Sequence, residues 1–149
     1  MDRFFRGFTA GMVGGVAMNL WTLIATSILN LEILRFIDWA GITIYGDVPA
    51  SHAEGAVALF IQLLWTGFLG TIFAFLIPQV TSRGYLLKGV IFGVLTGFFI
   101  YAIPILFQVP LLREHTLPTV LSNITGGVIW GLTLAQTLYL FDRKKAPQK

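Results

Sequence analysis

Four stretches of this chain carry no Asp, Glu, Lys or Arg: Gly7–Leu31, Gly55–Ser82, Gly89–Leu112 and His115–Phe141, of 25, 28, 24 and 27 residues. Each exceeds the ~18 residues that mark a membrane-spanning candidate. A helix of 25 residues rises about 38 Å, enough to cross a ~30 Å hydrocarbon layer with some tilt. Barrel strands are ~10 residues of alternating polarity, and lipid cannot satisfy an open backbone, so runs this long read as helices. The spans are expected at about 7–30, 55–81, 87–110 and 117–141, with an interfacial segment at 31–54, all in one transmembrane domain. The fold class is therefore all-α: an integral membrane four-helix bundle with a short interfacial helix after the first span.

Composition agrees. Hydrophobic residues are 56% of the chain and charged ones 11%, against about 25% charged in soluble domains. A disordered chain would be poorer in apolar and aromatic residues. Cysteine is absent, which removes disulfides, thiolate metal sites and a cysteine nucleophile. Basic residues flank the apolar runs and form no continuous stripe, so nucleic acid is not an expected partner. The lipid bilayer is.

The flanking charges give an orientation. Arg3, Arg6, Arg83, Lys88, Arg143, Lys144, Lys145 and Lys149, with Asp2 and Asp142, fall on one side. Glu32, Arg35, Asp38, Asp47, Glu54, Arg113 and Glu114 fall on the other. The excess of Lys and Arg puts the first side, with both termini, in the cytoplasm. The first apolar run is longer than a signal-peptide core and is expected to be retained. Between the first two spans, helical spacing over Leu31–Trp39 puts Glu32, Arg35 and Asp38 on one face and Ile33, Leu34, Phe36 and Ile37 on the other. This predicts a surface helix followed by an irregular Gly41–Pro49 segment, serving as a connector or a lid.

Glycine recurs in register. Gly7, Gly11 and Gly15 follow Arg6, as Gly89, Gly93 and Gly97 follow Lys88, and Gly127 with Gly131 adds a further seam. Such spacing strips one helix face of side chains and lets backbones approach. The seams would pack the bundle or join copies into a homo-oligomer. The register also suggests two repeated helix hairpins related by an axis along the membrane normal. Pro78, Pro104 and Pro110 are expected to bend their spans.

No ionisable residue lies deep in a span, which argues against ion relays and proton-coupled transport. Uncharged polar groups do reach that depth: Asn19 and, in the same repeat register, Tyr101, together with Gln62, Thr66, Asn123 and Thr133. They can bond between helices or line a small cavity. At the outer rim His52, Glu54, Glu114 and His115 could hold a metal ion or act as acid and base, although their spacing matches no metal motif. No cofactor is expected.

The Gly-rich start of the first span (Gly7-Phe8-Thr9-Ala10-Gly11), Lys88-Gly89…Gly93, and Val128-Ile129-Trp130-Gly131-Leu132 running to Phe141-Asp142-Arg143 resemble small bacterial four-span membrane proteins of the YqhR type. The resemblance implies a bacterial plasma membrane and brings no activity with it. The reading from sequence is thus a non-enzymatic polytopic protein, acting as a homo-oligomer or an accessory subunit of a membrane or envelope complex. Alternatives are a small channel or facilitator for a neutral or small solute, and an outer-rim metal site or membrane enzyme.

Overall fold

The structure, a computed structural model, describes residues 2–80, 83–113 and 115–143. Among these residues are five α-helices and no strand: α1 Arg3–Ser27, α2 Phe36–Tyr45, α3 His52–Val80, α4 Tyr85–Leu106 and α5 Leu117–Arg143. The four longer helices are long and apolar enough to cross a membrane, and their outward faces are apolar, with Leu87, Phe98 and Leu117 well exposed.

Local sequence explains the helix ends. Asp2 caps α1 by accepting the Phe5 N–H at 2.9 Å. Ser51 Oγ accepts the Glu54 N–H at 3.2 Å while the Glu54 carboxylate accepts the Ala50 N–H at 2.8 Å, a reciprocal cap for α3. The span expected to reach 110 ends instead at Leu106, because Pro110 disfavours helical backbone at Val109. Gln108 and Leu111 then take positive φ and turn the chain back onto the bundle.

The connector differs from the sequence reading. The short helix is not at 31–39; residues 31–35 are extended, and the helix occupies Phe36–Tyr45, inside the segment expected to be irregular. Asp38 decides this. Its carboxylate accepts the backbone N–H of Arg35 at 2.9 Å as well as the guanidinium Nε and Nη2, each at 2.9 Å. The pair read as two residues on one helical face is a cap, and a cap excludes what precedes it from the helix. Glu32 is left exposed outside it. Gly46, at φ 81°, closes α2 in the left-handed conformation. One face of α2 packs into the protein: Phe36, Asp38, Trp39, Gly41 and Ile42 are buried, with most of its packing along α3, while Ile44 and Tyr45 are exposed.

Helix order around the bundle is α3, α1, α5, α4, each adjacent pair packed closely. Glycine makes two of these contacts possible. A Cβ on Gly7 would overlap the Gly70 carbonyl and Ala74, and one on Gly11 the Thr66 carbonyl and Gly70. In the second hairpin a Cβ on Gly89 would overlap the Gly131 carbonyl and Ala135, and one on Gly93 the Gly127 carbonyl. In the α1–α5 contact Gly14 makes room for Trp130, whose indole N–H donates to the Gly11 carbonyl at 3.0 Å. The core holds Ala10, Met18, Phe73, Ile77, Trp130 and Leu134, among others. Arg6 pairs with Asp142, which also accepts from Tyr85 Oη at 3.4 Å, tying α1, α5 and α4 together at one end.

The fourth side of the ring is different. The backbones of α3 and α4 scarcely meet. Side chains close that side instead: Phe73 against Tyr85 and Phe92 (6.4 and 5.2 Å between centroids) toward the Arg6 end, and Trp39 of α2 against Tyr101 (5.6 Å) toward the other.

Candidate functional site

The glycine contacts align the two hairpins. Gly7 meets Gly70 and Ala74 as Gly89 meets Gly131 and Ala135; Gly11 meets Thr66 and Gly70 as Gly93 meets Gly127 and Gly131. One constant offset in each helix carries Asn19 onto Tyr101 and Gln62 onto Asn123. The deep polar side chains thus fall into two matched pairs, and the pairs differ in how they are satisfied.

In the first pair, Asn19 Nδ2 donates to Gln62 Oε1 at 2.9 Å and to the Gly15 carbonyl at 2.9 Å. Thr66, beside it, donates to the Leu63 carbonyl at 3.0 Å and packs on Gly15. Only Gln62 Nε2 is left over. This pair joins α1 to α3, a bond worth about 0.6–2 kcal/mol between apolar helices. Thr133 is half-buried and belongs to neither pair; it lies about 15 Å along α5 from Asn123.

In the second pair the Tyr101 hydroxyl stands within interaction range of the Asn123 carboxamide, in a geometry looser than the Asn19–Gln62 bond and short of a well-formed hydrogen bond. Asn123 is 5% exposed, with both Nδ2 and Oδ1 unpartnered. Trp39 from α2 and His115 from the α4–α5 connection complete the group. Ring centroids are 5.6 Å apart for Trp39–Tyr101, 5.1 Å for Trp39–His115 and 4.8 Å for Tyr101–His115. Trp39 Nε1 and both His115 ring nitrogens are also buried without partners. Ile42, Leu112, Ile100 and Val109 form the apolar wall around these rings. Three helices and the α4–α5 connection therefore bring these polar atoms together among apolar neighbours, with no well-formed hydrogen bond to any of them.

The arrangement has a definite chemistry. Burial pushes the His115 pKa below its usual 6.5, so at neutral pH the imidazole is uncharged, with one donor and one acceptor nitrogen. Trp39 Nε1 donates, Tyr101 Oη does both, and the Asn123 amide offers both. Arg35 is paired with Asp38, and exposed Arg113 donates to the neutral Gln108 amide at 3.1 Å. An uncharged group rich in donors and acceptors matches this inventory; a charged one would be desolvated without a counter-ion. Leaving a buried polar group unsatisfied costs about 1–3 kcal/mol, so these atoms favour any partner that can bond to them.

Of the outer-rim residues, His115 belongs to this cluster and Glu54 caps α3, while Glu114 lies outside the described residues. Among the described residues no three His, Asp or Glu side chains come together as a metal site, and His52 sits exposed at the start of α3. Gly127 and Gly131 face α4, Gly15 faces Thr66, and only Gly97 of the α4 series has open space where a side chain would be. An apolar groove of about 300 Å³ beside Trp21, Leu31, Leu117 and Leu121 contains none of the unpartnered atoms. Sequence reasoning named Tyr101, Asn123 and His115 but missed Trp39, whose place depends on how α2 packs and left no signal in the sequence. Comparison of the chain with protein-family models, with curated proteins and with solved structures finds no match.

Proposed function

We propose that the chain is a four-span membrane protein, both termini cytoplasmic, that binds a small uncharged hydrogen-bonding group in its outer half without carrying out chemistry on it. The charge distribution supports the orientation, and the resemblance to YqhR-type proteins is the support for a bacterial plasma membrane. Tyr101, Asn123, His115 and Trp39 then lie near the outer surface, beneath α2. One observation carries the binding reading. Asn19 and Gln62 bond to each other and leave over only Gln62 Nε2, whereas their counterparts Tyr101 and Asn123 make no well-formed bond, and Trp39 and His115 add further open donors and acceptors at the same place. Native proteins keep few such atoms, and each calls for an occupant or a water.

The glycine seams give little support to a homo-oligomer, because Gly7, Gly11, Gly89, Gly93, Gly127 and Gly131 are all covered by helices of the same chain. A channel lined by Asn19, Gln62 and Thr66 is disfavoured too, since Asn19 and Gln62 bond across α1 and α3 and Thr66 bonds to its own helix.

Native mass spectrometry of protein released from lipid nanodiscs tests the binding reading. The wild type should carry a non-covalent adduct that Asn123→Leu and His115→Phe lose. Spectra that are the same for all three proteins refute it.

A further inference from the structure

We infer that the end of the bundle carrying Arg6 is a binding surface for the phosphate of an anionic phospholipid in the adjoining leaflet. The inference rests on the four-span membrane reading and is independent of the Tyr101–Asn123 cluster at the other end.

The cations of this rim are gathered rather than spread. α1 starts at Arg3, α4 starts at Tyr85 and α5 ends at Arg143. Where these three ends meet, Arg6 pairs with Asp142, and Tyr85 Oη donates to the same carboxylate. The Tyr85 and Tyr139 rings are 5.9 Å apart between centroids, and the Arg143 guanidinium lies over the Tyr139 ring at 5.6 Å. Arg3 and Arg6 both act electrostatically on the Tyr85 hydroxyl. Three guanidinium groups thus gather around one carboxylate and two tyrosines. Arg83 stands just before α4, whereas residues 74–80 at the matching end of α3 carry no charge.

The acids of this side do not balance its cations. Eight Lys and Arg residues face two carboxylates. Asp2 is committed to the Phe5 N–H as the α1 cap, and Asp142 is shared by Arg6 and Tyr85. Arg3, Arg83 and Arg143 are exposed. Lys144, Lys145 and Lys149 follow in sequence, beyond the described residues. At the opposite end five acidic residues stand with two basic ones, so the cationic excess is confined to one rim.

Depth gives the partner. Arg3, Tyr85 and Arg143 are the end residues of helices long and apolar enough to cross a bilayer, which puts their side chains at the level of the lipid phosphates. Phe5, Leu87 and Leu140, near them in sequence, are exposed and apolar, as contact with acyl chains requires. Guanidinium groups bind phosphate through charge-assisted, bidentate hydrogen bonds. A zwitterionic headgroup offers the same phosphate but brings its own cation, which this rim repels. Each Lys or Arg beside an anionic headgroup strengthens binding about fivefold.

The test is a native mass spectrometry titration of the full chain, released from dioleoylphosphatidylcholine nanodiscs, with dioleoylphosphatidylglycerol. The wild type should retain phosphatidylglycerol at least about tenfold more strongly than phosphatidylcholine, and the double variant Arg3→Gln, Arg143→Gln should lose that preference. Replacing both residues by Lys should keep most of it, while Arg113→Gln at the other end and Asn123→Leu in the outer cluster should leave it unchanged. Thermal midpoints in phosphatidylcholine report folding. Where the double Gln variant melts early, Arg3→Gln alone, at an exposed position, should still weaken phosphatidylglycerol about fivefold. Equal retention of the two lipids overturns the proposal, as does a preference indifferent to the Gln variants or equally lost in Arg113→Gln. Inorganic phosphate binding as tightly as phosphatidylglycerol would make the ligand a soluble anion and overturn it too.

Discussion

A single carboxamide separates the two hairpins chemically. Gln62 accepts from Asn19, whereas Asn123 in the matching position makes no well-formed bond. Truncation should therefore act with opposite signs. Gln62→Leu removes the bond between α1 and α3, leaving Asn19 on the Gly15 carbonyl, and should lower stability by about 0.6–2 kcal/mol; Asn123→Leu removes two buried polar atoms without well-formed bonds and should raise it by about 1–3 kcal/mol. Reversible unfolding in mixed micelles reads both, and a destabilised Asn123→Leu would mean that its amide is satisfied after all. His115 makes a pH prediction. Its folded pKa lies below the unfolded 6.5, so the unfolded chain binds the proton more readily. Stability is then complete above pH 6.5 and falls as pH drops from there toward the lower folded value. His115→Phe should flatten that decline in melting scans between pH 7.5 and 5. Tyr101 and Asn123 were legible in the sequence because polarity inside an apolar run stands out. The indole of Trp39 was not, since its place is set by how α2 folds back, a tertiary fact.

Among the elements, the four long helices could be read directly, because length without charge admits few other structures. The position of α2 could not. Arg35 and Asp38 satisfy an i,i+3 pair and a helix cap equally well as letters, and only the bond from the Arg35 backbone N–H distinguishes them. That cap is also what holds Trp39 in place. Asp38→Ala should cost about 1 kcal/mol locally and leave Arg35 without its partner. Hydrogen exchange followed by mass spectrometry should show faster exchange across 36–45, with α1 and α5 unchanged. Uniform acceleration through all helices would show that α2 is not an independent unit.

For the molecule as a whole, the chain's lack of cysteine makes its threading directly testable. Asp47→Cys lies between α2 and α3, and Arg83→Cys between α3 and α4. In intact cells a membrane-impermeant maleimide should label the first and spare the second until the membrane is permeabilised. Reversed labelling would invert the orientation and move the Trp39–His115 cluster to the cytoplasmic face. The proposed orientation rests on loop charge alone, because it depends on counting cations rather than on packing. The order of helices around the ring was not readable, because glycine seams show which faces come close without saying to whom.

The uneven closure of that ring has a mechanical consequence. α1 is clamped on both flanks and serves as the fixed post of the assembly, while α4, the least buried of the four long helices, hangs from α5 alone like a door on its jamb. A sideways displacement of α4 would be resisted on its α3 side by the Phe73–Phe92 and Trp39–Tyr101 ring contacts, which act as its latch, rather than by a glycine seam.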